Sequence, residues 1–247
     1  GAKCRIVEVQ HGTMGFGGYQ ARLAQAGIDA GAVLTCVGEA CLENYPAEYR
    51  EQVTVIQNGA ETDRLQPIEG REATRAKLGI KDGEKVCLYI GRIAAVKNLN
   101  GLAAAVALLP GWRLVVAGPE YQKHHCLGEA IVLPAQEQLG DLLAAADVFC
   151  APSHHEANSL SVIEAWLAGV PAVTTDYQAA VAMEKKHGRM SWLVPVNPAP
   201  RVLADAIEEA EKWRGTLPVQ NVQGIALKHY TAKAMTKRWE DFICARF

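Results

Sequence analysis

The sequence contains no apolar run of about 18 residues, the length a membrane-crossing helix needs, and no recognisable leader segment. Its longest apolar stretches are broken by Gly, Pro or charge. A helical membrane span is thereby excluded, and a soluble or membrane-peripheral chain is expected. No Cys-x-x-Cys pair occurs among the seven cysteines Cys4, Cys36, Cys41, Cys87, Cys126, Cys150 and Cys244. Their odd number, with several inside apolar runs, fits free thiols in a reducing compartment rather than a disulfide framework or a zinc site. Asp-x-Asp is absent too. His124-His125 and His154-His155 are neighbours in sequence, and adjacent side chains rarely face one point, so no metal is expected. Nor is there an excess of one charge: a formal net charge of -2 over 247 residues gives no overall basic field for nucleic acid or anionic lipid. Internal repeats and low-complexity tracts are missing. What is present is an ordinary globular balance, 49% hydrophobic and 21% charged, in a chain long enough to bury a real core.

Short apolar runs alternate with helical stretches. Strands are expected at residues 4–9, 33–37, 53–56, 86–90, 113–117, 130–133, 148–151, 172–175 and 192–194. Helices are expected at 18–30, 72–78, 98–109, 139–146, 160–168, 199–213 and 232–245. Unalternated apolar runs suit strands covered on both faces, and strand–helix alternation argues for parallel α/β sheets whose ligands sit at the strands' carboxyl ends. The stretch at 58–67, NGAETDRLQP, opens with an Asn-Gly turn and carries no periodicity, so a boundary is expected there. Three strand candidates precede it and six follow. The second group is enough for a doubly wound domain and the first is not.

Two segments carry candidate chemistry. In YIGRIAAVKN, a buried strand ends at Gly91, which permits a sharp turn. Arg92 and Lys97 then put two cations on a strand-to-helix loop, one a planar fork and the other a point charge, a pairing suited to a diphosphate. A solvated loop with two unrelated charges is the competing reading. In APSHHEANSLSVIEAWLAGVP, a strand ends, a polar loop follows, and a helix begins between Asn158 and Ser161. Its first amides and its dipole favour an anion. Glu164 inside the helix can accept two ribose hydroxyls, or can close a capping box with Ser161, whose spacing fits. Glu156 on the loop can face a sugar, or can simply favour the helix dipole.

Taken together the segments resemble the glycosyltransferase group 1 family (family 4, retaining, GT-B fold). NGAETDRLQP resembles its Asn-Gly-Val-Asp linker. GRIAAVKN resembles its Gly-Arg…Lys diphosphate motif, and WRLVVAGP its next strand. LGDLLAAADVFCAPSHHEANSLSVIEAWLAGVPAVTT is similar to its signature of two acids. WLVPVNPAPRVLADAI resembles its closing strand and helix. The resemblance runs over nearly the whole chain.

The resemblance implies an α/β protein of GT-B type. It would have a complete C-terminal Rossmann-like domain (67–231), a partial N-terminal, acceptor-side Rossmann-like domain (1–66), and a last helix (232–247) that either packs back on the first part or is an ordinary core-facing terminal helix. It implies that Gly91, Arg92 and Lys97 hold the donor diphosphate and that the cations stabilise the leaving nucleotide. Asn158 and the amides of Ser159 and Leu160 would bind a phosphate oxygen, Glu164 the ribose, and Glu156 the transferred sugar. His11 would reach the sugar from the first domain, although a plain turn histidine beside Gly12 is as good a reading. Catalysis would rest on charge stabilisation without a metal. The donor, UDP-, GDP- or ADP-linked, is a substrate, and no cofactor is implied.

Three departures stand out. Ala157, Asn158 and Ser159 follow Glu156 where the family has glycines. The stretch at 120–130, which helps hold the base in the family, is short. The glycine cluster at 15–18 does not occupy the position of the family's donor loop.

The expected function is therefore retaining transfer of a sugar from a nucleotide sugar to a carbohydrate or lipid-linked acceptor: a polysaccharide, a lipopolysaccharide or a glycolipid. It would occur in the cytoplasm or peripherally on the inner membrane face. The alternative is a sugar-nucleotide-binding module that needs a further N-terminal segment or a partner chain. A GT-B epimerase would lack the Arg92…Lys97 and Glu156…Glu164 arrangement, and a GT-B phosphorylase would need a pyridoxal phosphate lysine site that is not found, so both fit less well.

Overall fold

The structure, a computed structural model, describes residues 7–11, 18–119 and 127–246. Residues 4–6 of the first expected strand, the glycines at 15 and 17, the His124-His125 pair and positions 120–126 of the short stretch lie outside them.

The strands form two parallel sheets. The first has the order β1 (Val7–Gln10), β2 (Val33–Cys36), β3 (Thr54–Val55). The second has six strands in the order β6 (Ile131–Leu133), β5 (Trp112–Ala117), β4 (Lys85–Ile90), β7 (Val148–Ala151), β8 (Ala172–Thr175), β9 (Trp192–Val194). Counted within the second sheet this is 3-2-1-4-5-6, the doubly wound order, and it reverses between β4 and β7. At that reversal the loops leaving the two strands turn to opposite faces, opening a crevice above their carboxyl ends.

The apolar runs have the expected cause. Val86, Leu88 and Ile90 of β4 join one core cluster, while Cys87 and Tyr89 join the other, so the strand is covered on both faces. α4 (Gly140–Ala145), α5 (Leu160–Leu167) and α8 (Leu217–His229) cover the first face. α3 (Leu99–Val106) and α7 (Pro200–Glu211) cover the second. α1 (Tyr19–Asp29) packs on the first sheet around Ala24, Leu34, Cys36 and Tyr45, and α2 (Arg71–Lys77) packs on α4.

All nine expected strands are present within a residue or two, apart from positions 4–6. Two helices were not expected. α6 (Gln178–His187) buries only Ala179, Ala180 and Met183, too faint an apolar stripe to read. α8 has Pro218 in its first turn, which a helix tolerates, and Gly224 inside, which lowers its intrinsic preference. Packing against α5 overrides that preference.

The stretch at 58–67 links the sheets. Ala60 donates its amide to Tyr230 O (2.9 Å) and accepts from the Ala232 amide (2.8 Å), at the junction of α8 and α9 (Ala232–Arg246). From α9, Arg238 donates to His229 O and to Gln57 O, each at 2.8 Å. Among the described residues no helix is long and apolar enough to cross a membrane.

Candidate functional site

Three loops leave the carboxyl ends of β4, β7 and β8 and are tied to one another. The Gly91 amide donates to Ala117 O (2.9 Å), which keeps the β4 exit against that of β5. The approach leaves no room for a side chain: a Cβ on Gly118 would lie 1.9 Å from Gly91 O. Arg92 follows and is exposed, and its carbonyl accepts from Tyr89 Oη (3.0 Å). A 3-10 turn, Ala95–Lys97, then presents Lys97. Asn98, at φ 52°, ends the turn and begins α3; asparagine is one of the few residues that adopts this conformation readily.

The β7 loop meets this turn. The His154 amide donates to Val96 O at 2.8 Å. Lys97 Nζ lies 2.5 Å from Glu156 Oε1, with the two side chains 12% and 16% exposed. Ser153 Oγ donates to the same carboxylate oxygen (2.9 Å), and Thr175 Oγ1, from the end of β8, donates to Ser153 O. Burial pushes the phenols of Tyr89 and Tyr177 far up, and the Glu156 charge adds to both. The field of one carboxylate is thus felt beside β4 and beside β8.

The loop then enters α5. Ser159 is its N-cap in extended geometry; its hydroxyl makes no cap hydrogen bond and lies 3.4 Å from Ser161 Oγ. The capping box of Ser161 with Glu164 does not form, because the helix begins two residues too early for it. Glu164 is buried, and its charged neighbour is Arg64, whose Nη1 is 3.8 Å from Oε1. Burial raises the Glu164 carboxyl and the Arg64 charge opposes the rise.

The first sheet touches the same loop. Asn158 Nδ2 donates to Val37 O (2.9 Å), and Gly38 is packed so tightly that a Cβ there would sit 2.6 Å from Ala157 O. Ala40 packs with Tyr177, Ala179 and Ala180. His11 lies exposed directly after β1 and makes no hydrogen bond or ion pair among the described residues.

The structure therefore gathers Gly91, Arg92, Lys97, Glu156, Asn158, Ser159, Leu160 and Glu164 around the reversal point, and it places His11 at the end of β1 in the other sheet. Sequence reasoning missed Ser153 and Arg64. Ser153 is a small hydroxyl in a Pro-Ser turn and gave no signal. Arg64 was visible only as one charge in a segment read as a boundary. Among the described residues no group of three or more His, Cys, Asp or Glu could hold a metal ion.

Residues 70–228 match the family model described as glycosyl transferases group 1. Two proteins called "D-inositol 3-phosphate glycosyltransferase" are among the similar curated proteins. The one from Streptomyces avermitilis is 34% identical over 177 residues, 62% of this chain and 38% of that protein. The one from Mycolicibacterium smegmatis is 31% identical over 140 residues, 50% of this chain and 32% of that protein. The chain thus spans about 38% or less of the length of these two relatives. Among solved structures, Anabaena Alr3699/HepE in complex with UDP and glucose superposes with a TM-score of 0.81 at 17% identity, covering 97% of this chain and 71% of that one. WaaG, a glycosyltransferase involved in lipopolysaccharide biosynthesis, superposes at 0.67 with 20% identity, covering 84% and 61%. The fold is GT-B: a six-stranded Rossmann-like domain beside a three-stranded Rossmann-like sheet.

Proposed function

As the chain belongs to the glycosyl transferases group 1 family, we propose that it carries the donor site of a retaining glycosyltransferase that moves a sugar from a nucleoside diphosphate to an acceptor hydroxyl. The observation that carries this reading is the convergence of Lys97, Glu156 and the start of α5 at the reversal point of the sheet.

In this reading Arg92 and Lys97 hold the diphosphate, and the Ser159 and Leu160 amides take a phosphate oxygen with help from the helix dipole. Gly91 lets the β4 loop pass close by, and Asn158 fixes the turn before the helix. Glu164 accepts the ribose hydroxyls. Glu156 contacts the transferred sugar, and His11 approaches it from the first sheet. When the bond between the anomeric carbon and the diphosphate oxygen breaks, negative charge grows on that oxygen. Fixed cations and amide dipoles stabilise it without reorganising, which is where such sites gain most of their rate. Side chains supply the positive charge, so activity persists in chelator.

UDP-glucose is the first donor to test, since HepE is described in complex with it. The curated relatives' name makes a phosphorylated polyol a sensible first acceptor, beside saccharide and glycolipid acceptors. The experiment is to follow release of UDP from UDP-glucose, in chelator, with each acceptor, and to read the anomeric configuration of the product by NMR. An inverted product would sink the retaining assignment. Tight donor binding without turnover for any acceptor would favour a second reading, a donor-binding module that works with another segment or chain.

A further inference from the structure

Arg64 joins three parts of the molecule that the sequence keeps apart. It sits in the 3-10 turn Asp63–Leu65, on the segment that links the two sheets. Its Nη1 faces Glu164 Oε1 of α5 at 3.8 Å, and its Nη2 donates to Gln136 O (3.2 Å) in the loop after β6. Its Nε is buried with no hydrogen-bond partner, so the guanidinium is held at this position without full compensation. Such a cost persists where the group's position matters.

The geometry assigns Arg64 as a positioning residue of the donor site, which holds a fixed positive charge beside the Glu164 carboxylate and ties it to the loop after β6, so that nucleoside recognition depends on the linker between the sheets. This rests on the reading of Glu164 as the ribose group. At 3.8 Å the pair is an ion contact and not a hydrogen bond, so the carboxylate's lone pairs stay available to hydroxyl donors. The anion has little other support. Glu164 is 7% exposed, and burial alone drives its carboxyl toward the protonated form, which would accept fewer hydroxyls. Of the elements packed on α5, β7 carries the Cys150 thiol on its opposite face, β8 has no titratable group, and α8 has Lys228 and His229, while Tyr177, the N-cap of α6, and Glu184 within α6 line a small cavity with Val162 and Trp166 of α5. Asp63, beside Arg64, is exposed.

The test uses the full chain with Arg64→Ala, Arg64→Lys and Glu164→Gln. One readout is the titration of the Glu164 carboxyl by carbon-13 NMR. The other is the affinity for UDP, GDP and ADP against inorganic pyrophosphate, from mildly acidic to neutral pH. Arg64→Ala should raise the Glu164 midpoint further. It should weaken the nucleotide that binds by about tenfold, more as pH falls, and leave pyrophosphate unchanged. Arg64→Lys should recover most of both effects. An unchanged midpoint and nucleotide affinity in Arg64→Ala, with Glu164→Gln still costing the nucleotide alone, would overturn the role of Arg64 and keep the ribose reading. Equal losses of nucleotide and pyrophosphate in Glu164→Gln, or no nucleotide binding at all, would overturn both.

Discussion

Lys97 and Glu156 are 59 residues apart in the chain, and their charged atoms are 2.5 Å apart in the fold, each side chain largely shielded from water. The contact links the loop after β4 to the loop after β7 across the point where the sheet reverses. A shielded pair is held in place more firmly than a surface one, and removing either partner leaves the other poorly compensated.

The two residues should part company on mutation. Lys97→Ala removes a cation from the diphosphate and should weaken nucleoside diphosphate binding by about 2 kcal/mol, roughly 30-fold. Glu156→Gln removes an anion near the same phosphates, so the nucleotide should bind as well or better, while sugar transfer falls by about tenfold or more. Titration beside a turnover assay separates the two. A Glu156→Gln variant that loses nucleotide affinity as Lys97→Ala does would contradict the division of roles.

Gly38 and Ala157 set the fit between the first sheet and the donor loop. Any Cβ at Gly38 would crowd Ala157 O at 2.6 Å, where the neighbour is backbone and cannot swing away. Gly38→Ala should therefore loosen the hydrogen bond from Asn158 to Val37 O and speed hydrogen exchange of the amides at 153–159. The amides of β4 and β5 should stay protected. Exchange unchanged in the loop would show that the two parts do not bear on each other there.

Asp141 gives a pH-dependent test of the turn that follows the linker. One oxygen, Oδ1, accepts the amides of Ile68, Glu69 and Gly70, each at 2.9 Å. Burial pushes this carboxyl up, but the three amides together pull it below its ordinary range. A carboxyl lowered in the folded state adds stability above its unfolded value, near about 3.9, and the gain disappears as pH falls through the lower folded value. Asp141→Asn should cost about 1 kcal/mol at neutral pH by denaturant titration. The gap should close in acid below about pH 4. A gap that is constant with pH would mean the charge contributes nothing.

The strand pattern was readable because the strands are covered on both faces, and unbroken apolar runs such as Val86–Ile90 have no other use. The fold class followed from their alternation with helices. The site was readable as far as residue types go: Arg92, Lys97, Glu156 and Glu164 stand on loops or helix starts beside strand ends. Their pairing was not. That Lys97 meets Glu156, or that Arg64 meets Glu164, depends on which strands are neighbours, and no local pattern encodes that. The faint helices α6 and α8 escaped for a related reason: each is held by packing on other elements more than by its own periodicity.

The most direct test of a donor site at the reversal point is calorimetric titration of the chain with UDP, GDP and ADP in chelator, repeated with Arg92→Ala. One of the three should bind, and Arg92→Ala should weaken it by about 1–3 kcal/mol. Failure of all three to bind, or an affinity that Arg92→Ala leaves untouched, would contradict the placement of the diphosphate between β4 and α5.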